Sequence, residues 1–158
     1  MRIRPATSAD GDAIWRILEP VLRTGETYAL DRDMDREDAL AIWLANEAFV
    51  AEESGTVLGT YYMRRNQAGG GGHVCNCGYM VSAQASGRGV ARAMCEHSLG
   101  HARSRGYHGM QFNFVVSTNE RAVRLWQAMG FAIVGRIPGG FDHPRLGSVD
   151  ALIMYQAL

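Results

Sequence analysis

The spacing of apolar residues along the chain switches between the helical period and the strand period. Apolar positions at helical spacing predict helices over residues 14–22, 36–45, 90–105 and 119–129. Shorter apolar runs predict strands near residue 3 and over residues 48–52, 57–63, 73–81, 110–116, 131–137 and 149–155. The resulting order, β-α-α-β-β-β-α-β-α-β-β, predicts one α/β domain over residues 1–158, a mixed sheet with helices on its faces.

A glycine loop joins the predicted strand over residues 73–81 to the helix that begins near Val90. Gly87 and Gly89 lack a Cβ, so the backbone can adopt positive φ and approach a ligand closely. The unpaired N–H groups at the start of the following helix favour an anion, above all a phosphate. Arg88 adds a positive charge beside them. The loop therefore predicts a pyrophosphate site.

Two common phosphate-binding motifs do not fit this loop. The nucleoside-triphosphate loop ends in Gly-Lys-Ser/Thr, which is absent here. The dinucleotide fingerprint requires a third glycine where this chain has Arg92, and it belongs near the first strand of its unit. A tight turn between strand and helix that holds no ligand remains the alternative.

Composition and charge narrow the function classes. The 158 residues contain 16 basic and 16 acidic side chains, so no net positive field points to nucleic acid. No apolar run reaches the length of a membrane span, and the chain starts without an apolar leader segment. Three cysteines, an odd number, favour reduced thiols. We expect a cytoplasmic protein.

Two motifs together resemble the GCN5-related N-acetyltransferase (GNAT) superfamily over nearly the whole chain. Residues 86–91, Ser-Gly-Arg-Gly-Val-Ala, match the family's Arg/Gln-x-x-Gly-x-Gly/Ala loop after a strand that ends at Val81. Residues 119–131 resemble the family's Asn-x-x-Ala-x-x-x-Tyr-x-x-x-Gly-Phe segment. The resemblance implies a mostly antiparallel sheet of six to seven strands that splays between the fourth and fifth strands.

The same resemblance implies acetyl-coenzyme A as cosubstrate, with its pantetheine lying along residues 79–81 and its thioester in the splayed gap. The residues expected to contact the coenzyme are Val81, Ser86, Gly87, Arg88, Gly89, Val90, Ala91 and Asn119. Ser86 departs from the usual Arg or Gln, a loss for which we expect Arg88 to compensate. Trp126 replaces the tyrosine that often protonates the leaving thiolate, and an indole N–H does not titrate in water.

Acetyl transfer to an amine requires a neutral amine, aligned reactants and a donor for the oxyanion. We expect this donor to be a backbone N–H within residues 78–80. Asn76 and Asn113, on the two strands that border the gap, are candidate substrate-binding amides; the alternative is that they satisfy backbone groups where the strand ladder stops. Tyr79 or Tyr62 is the candidate proton donor for the thiolate, unless the thiolate leaves unassisted.

The strand over residues 73–81 contains no acidic residue. The candidate bases are therefore a water held by side-chain amides or a distant carboxylate, Glu26 or Asp150. We expect direct transfer to the amine, without an acyl-enzyme on a cysteine.

Three segments, residues 73–81, 111–116 and 137–141, are similar to acetyltransferases of azetidine-2-carboxylate and proline analogues. This similarity predicts a cyclic imino acid or amino acid as acceptor. The alternatives are a xenobiotic amine, a protein terminus, or a coenzyme A-binding sensor without turnover. A homodimer is plausible for the family.

Other clusters of reactive side chains favour structural interpretations. His73, Cys75 and Cys77 share one strand face but lack a fourth ligand, so we expect no metal. His97 and His101 lie one helical turn apart and predict a solvated helix face. Residues 142–145 are interpreted as a solvated loop before the last strand.

Overall fold

A computed structural model of the chain describes all of residues 1–158 and contains seven strands and four main helices in the predicted order. In chain order these elements are β1 (Arg2–Pro5), α1 (Gly11–Thr24), α2 (Arg36–Leu44), β2 (Glu47–Glu53), β3 (Thr56–Arg65), β4 (Val74–Val81), α3 (Val90–Ser104), β5 (Gly109–Val116), α4 (Glu120–Ala128), β6 (Ala132–His143) and β7 (Gly147–Ala157). Single 3₁₀ turns cover Ser8–Asp10, Gly69–Gly71 and Ala83–Ala85.

The strands form one seven-stranded sheet in the order β1-β2-β3-β4-β5-β7-β6. Every neighbouring pair is antiparallel except β4 and β5, which run parallel. That parallel pair holds only two register positions, Val74 with Gly109 and Cys75 with Met110. Beyond Cys75 the two strands separate, which confirms the predicted splay and leaves a gap in the middle of the sheet.

Helices cover both faces of the sheet, as predicted. On one face α1 and α2 pack through Ile14, Leu18 and Trp43 against Val50 and Met80. On the other face α3 and α4 contribute Met94, Leu99 and Trp126 to the larger core. Burial of the apolar face of each helix stabilises the packing of helices on the sheet and holds the helices beside the gap. None of the helices is long and apolar enough to cross a bilayer.

The last two strands are longer than the sequence pattern predicts. β6 and β7 pair as far as His143 with Gly147, so Asp142 and His143 belong to a hairpin rather than to a solvated loop. The His143 ring is buried, and its Nδ1 accepts hydrogen bonds from the N–H groups of Arg145 and Leu146. An irregularity between Ile137 and Phe141 absorbs the Pro-Gly-Gly segment that suggested a loop.

The two histidines of α3 do not form a solvated face. Both rings pack edge-on against Phe49 of β2, with centroid distances of 5.3 and 4.9 Å. His97 Nδ1 is hydrogen-bonded to the Tyr61 hydroxyl at 2.7 Å, and His101 Nε2 pairs with Glu47 at 2.8 Å. The prediction was wrong because these rings, each partly buried, cover the aromatic surface of β2 and β3.

Candidate active site

The loop between β4 and α3 has the backbone geometry that its glycines predict. Gly87 and Gly89 have φ values of 82° and 78°, the region that residues with a Cβ rarely occupy. The Arg88 N–H donates to Ala85 O, whereas the N–H groups of Gly87 and Gly89 donate to no loop carbonyl. The first turn of α3 contains no acidic residue. The loop and the helix start therefore present free donors without a competing carboxylate.

A cavity of about 430 Å³ opens in front of this loop and is called the loop cavity. Its wall includes Val81, Ser86, Gly87, Gly89, Val90, Ala91 and Asn119, seven of the eight residues predicted to contact a coenzyme. Nothing lies within 4 Å of a Cβ built on Gly89, so the space above the loop is open. The eighth residue, Arg88, does not line the loop cavity; its side chain pairs with Glu53.

Arg121, in the first turn of α4, places a positive charge in the wall of the loop cavity, where Arg88 was expected. Its Nη1 donates to the Ser86 hydroxyl at 2.6 Å, and its guanidinium lines the loop cavity. Arg121 pairs with no carboxylate, unlike Arg124 one turn later, which bonds to Glu120 at 3.1 Å. The Arg121 side chain thus extends from α4 to Ser86 in the wall of the loop cavity.

A second cavity, of about 330 Å³, lies in the gap between β4 and β5 and is called the gap cavity. The two cavities share Tyr79, Asn119, Ala122 and Trp126 in their walls and therefore lie side by side; together they are called the cleft. Trp126, 8% exposed, packs against Tyr79 and Phe112 at centroid distances of 5.0 and 5.1 Å. The indole is both a core residue and the wall between the cavities. Asn119 caps α4 by accepting from Ala122 N.

Asn76 and Asn113 both line the gap cavity and belong to one chain of hydrogen bonds across the gap. The Asn76 amide donates to Gln111 O at 2.9 Å, a carbonyl that the interrupted strand ladder leaves without its regular partner. Asn113 accepts from Gln111 Nε2 at 2.9 Å and donates to Asn66 at 2.6 Å. The amides therefore satisfy backbone and side-chain groups, and neither uses all of its hydrogen-bonding capacity within the protein.

Three tyrosines line the gap cavity, with hydroxyls in different surroundings. The Tyr79 hydroxyl points to the α3 side, where it bonds to Ser98 at 2.7 Å and contacts Met110 Sδ at 3.6 Å. Tyr62 packs edge-on against Trp43 with a centroid distance of 4.9 Å. Tyr28, from the connection between α1 and α2, donates to Tyr79 O at 3.3 Å. The Tyr79 hydroxyl is thus engaged within the core.

Gly78 creates the space in which two of these rings approach β4. A Cβ on Gly78 would lie 2.6 Å from Tyr62 Cε1 and 2.7 Å from the Tyr28 hydroxyl. Any larger residue would displace both rings. The absent side chain lets the Tyr28 hydroxyl reach the main chain of β4 where the strands part.

No base lines the gap cavity. Its titratable side chains are the three tyrosines, Cys77 and Arg64. Burial raises the pKa of Tyr28, Tyr62, Tyr79 and Cys77, so all four stay protonated at neutral pH. Glu26 pairs with Arg145 at 2.8 Å and Asp150 with Arg136 at 2.7 Å, and neither carboxylate lines the cavity.

Arg64 is the only charged side chain in the wall of the gap cavity. Its Nε donates to Asn76 Oδ1 at 3.3 Å, and its Cζ lies 5.7 Å from the Tyr62 ring centroid. Arg64 forms no salt bridge, so the outer nitrogens of its guanidinium have no anionic partner. No local sequence pattern marks Arg64, Arg121 and Tyr28, because the cleft that they line is formed by elements distant in sequence.

No group of three or more histidine, cysteine or acidic side chains has the geometry to hold a metal ion. Cys75 and Cys77 are buried free thiols, whereas His73 on the same stretch is exposed.

Comparison with known proteins identifies the family. The sequence profile of the acetyltransferase (GNAT) family matches residues 13–131. The chain is 29% identical over 154 residues to N-acetyltransferase aca1 of Schizosaccharomyces pombe, covering 84% of this chain and 72% of that protein.

Solved structures agree with this assignment. A GCN5-related N-acetyltransferase from Kribbella flavida superposes with a TM-score of 0.95 at 39% identity, covering 99% of this chain and 97% of that one. The structure of yncA from Salmonella typhimurium, described as a putative acetyltransferase with its cofactor acetyl-CoA, gives a TM-score of 0.88 at 25% identity over 100% and 94% of the two chains. With a matching profile over most of its length and the fold over all of it, this chain belongs to the GNAT family of acetyltransferases.

Proposed function

We propose that the protein transfers the acetyl group of acetyl-coenzyme A directly to the amine of a small, carboxylate-bearing acceptor, an amino acid or cyclic imino acid. The family is one of acetyltransferases, and yncA, a relative of the same fold, is described with acetyl-CoA as its cofactor. The adjacent cavities, one in front of the glycine loop and the other lined by amides, support the two-substrate arrangement.

In this proposal the loop cavity holds the coenzyme. The free N–H groups around Gly87 and Gly89 and the start of α3 bind the pyrophosphate. Arg121, already beside Ser86, donates charge-assisted hydrogen bonds to it. The pantetheine runs along residues 79–81, where β4 has no neighbour on the β5 side. The thioester then lies at the junction of the two cavities, against Trp126.

The observation that carries the acceptor assignment is the single unpaired cation in the gap cavity. An arginine without an anionic partner in a cleft otherwise lined by aromatic and amide groups is suited to bind a carboxylate. We assign this role to Arg64, with Asn76 and Asn113 donating further hydrogen bonds to the acceptor. A cavity of about 330 Å³ suits a small molecule.

The way in which the acceptor amine loses its proton follows from the absence of a basic side chain in the gap cavity. Because no carboxylate or histidine lines the gap cavity, the acceptor reacts as the neutral amine or loses its proton to water. A backbone N–H within residues 78–80 stabilises the oxyanion. Proximity and orientation supply the remainder of the rate acceleration.

A thiol-release assay over a panel of amines tests the acceptor class. Turnover is expected with small amino or imino acids. Arg64→Met should raise their KM about 5- to 30-fold without changing that of acetyl-coenzyme A, since a charge-assisted hydrogen bond from an exposed arginine contributes about 1–2 kcal/mol. The matched control is Arg65→Met: Arg65 adjoins Arg64 in sequence but does not line the cleft. The carboxamide analogue of the acceptor has no carboxylate, so its KM should be the same for the wild type and for Arg64→Met.

Other outcomes would replace this assignment. Preferred turnover of a peptide N-terminus or of an uncharged xenobiotic amine would refute the carboxylate-bearing acceptor. Coenzyme binding without transfer to any amine would indicate a sensor.

The proposal includes a homodimer through β6, one of the two edge strands of the sheet. The exposed apolar residues Ile133, Val134 and Ile137 (40%, 60% and 38% exposed) lie along this free edge, which a second copy would cover. Sedimentation should give twice the mass of the 158-residue chain, and Val134→Lys should give the monomer.

A further inference from the structure

Resting on the proposed acetyl transfer, we propose that Tyr28 is the proton donor to the coenzyme thiolate, in place of a tyrosine on α4. The hydroxyl of Tyr28 is carried by the α1–α2 connection and enters the cleft from the face opposite α4. It reaches the backbone of β4 at the point where β4 and β5 have parted.

The other candidate donors in the cleft are less suitable. Trp126 occupies the α4 position, and its indole N–H does not titrate in water. The Tyr79 hydroxyl bonds to Ser98 at 2.7 Å on the far side of the sheet. No hydrogen bond holds the Tyr62 hydroxyl beside β4, whereas the Tyr28 hydroxyl is held there by Tyr79 O.

The Tyr28 hydroxyl is held in place yet weakly bound. Its sole partner is Tyr79 O at 3.3 Å, longer than a typical hydroxyl hydrogen bond of about 2.7–2.8 Å. The hydroxyl lies 2.7 Å from the position of a Cβ on Gly78, which only a glycine tolerates. When the coenzyme sulfur lies beside β4, the Tyr28 hydroxyl can therefore give up its long hydrogen bond to Tyr79 O and donate to the sulfur instead.

Acetyl transfer releases one proton from the amine, and the thiolate takes up one. The amine nitrogen forms a bond to the thioester carbonyl carbon, and the C–S bond breaks with its electron pair on sulfur. Sulfur takes the proton of the Tyr28 hydroxyl, giving coenzyme A as the free thiol. The proton released by the acetylated nitrogen returns to the Tyr28 oxygen through water. Tyr28 ends the cycle as it began.

The proposal is tested first on the binary complex with coenzyme A, which needs no acceptor. An NMR pH titration of coenzyme A labelled at the methylene next to sulfur reports the pKa of the bound thiol. A hydroxyl that donates to sulfur stabilises the thiolate, so Tyr28→Phe should raise this pKa relative to the wild type. Tyr107→Phe is the matched control, because Tyr107 lies outside both cavities.

The same variants are then compared in turnover. With the best acceptor of the amine panel, Tyr28→Phe should lower kcat about a hundredfold, the lower range for general acid catalysis, with the KM of acetyl-coenzyme A unchanged. An unchanged thiol pKa in Tyr28→Phe, or a shift produced by Tyr62→Phe instead, would overturn the proposal. Failure of the wild-type protein to bind coenzyme A would remove the proposed function itself, and this role with it.

Discussion

Replacing Arg121 with alanine tests whether α4 supplies the phosphate-binding charge. The guanidinium donates to Ser86 at 2.6 Å and is free of carboxylates, so it can add donors to a bound pyrophosphate. A hydrogen bond to a charged group contributes about 1.5–3 kcal/mol, and solvent exposure of Arg121 reduces this to about 1–2 kcal/mol. The affinity for acetyl-coenzyme A should fall about 5- to 30-fold.

The control lies on the same helix. Arg124→Ala also removes an exposed arginine of α4, but Arg124 pairs with Glu120 and lines neither cavity. Titration calorimetry on both variants separates a local contact from a change in net charge. The difference between them should shrink as salt is added, because exposed charges are screened.

A second variant tests whether an arginine supplied from the loop can replace Arg121. The family places Arg or Gln where this chain has Ser86, so Ser86→Arg in the Arg121→Ala background should restore most of the lost affinity. Equal affinities for Arg121→Ala and Arg124→Ala would refute the reasoning, as would a double variant no better than Arg121→Ala alone.

Two further predictions concern the loop and the pH dependence. Gly89→Glu should abolish detectable coenzyme binding in calorimetry. The control is Gly106→Glu, at a similar φ of 79° but outside the cleft, which should bind the coenzyme normally. An equal loss of coenzyme affinity in both variants would mean that backbone strain alone is responsible. The value of kcat/KM should rise with pH as the acceptor ammonium loses its proton. Tyr28 and Tyr62 should not contribute to this rise, because burial raises the pKa of both hydroxyls and keeps them protonated. Replacing the acceptor by one with a lower amine pKa should move the inflection by the same amount, and an inflection fixed across acceptors would reveal an enzyme base.

Much of the fold could be predicted because its elements have strong local signals. Apolar periodicity locates α1 and α3, and Gly25 and Gly106, both at positive φ, mark where these helices end. The end of β6 could not be predicted in this way. Pro138 is tolerated there because β6 is an edge strand with an irregular register, which is a property of the assembled sheet.

In the candidate site, too, the locally determined features could be predicted and those that depend on tertiary packing could not. The backbone features of the loop were predictable, because two glycines before a helix determine them locally. The charged and hydroxyl groups were not: Arg88 is adjacent to the loop in sequence but pairs with Glu53, whereas Arg121 arrives from a helix 35 residues away. Tyr28 lies in a connection with no periodic pattern, and only the packing over Gly78 gives it a position in the cleft.

Calorimetric titration with acetyl-coenzyme A and with S-acetylpantetheine, which lacks the diphosphate and the adenosine 3′-phosphate, tests the central claim most directly when the Gly89→Glu variant is measured beside the wild type. If the loop between β4 and α3 binds the diphosphate, the wild-type protein should bind the full coenzyme far more tightly than the truncated thioester. Equal affinity for both molecules, or no binding of either by folded protein, would contradict the account.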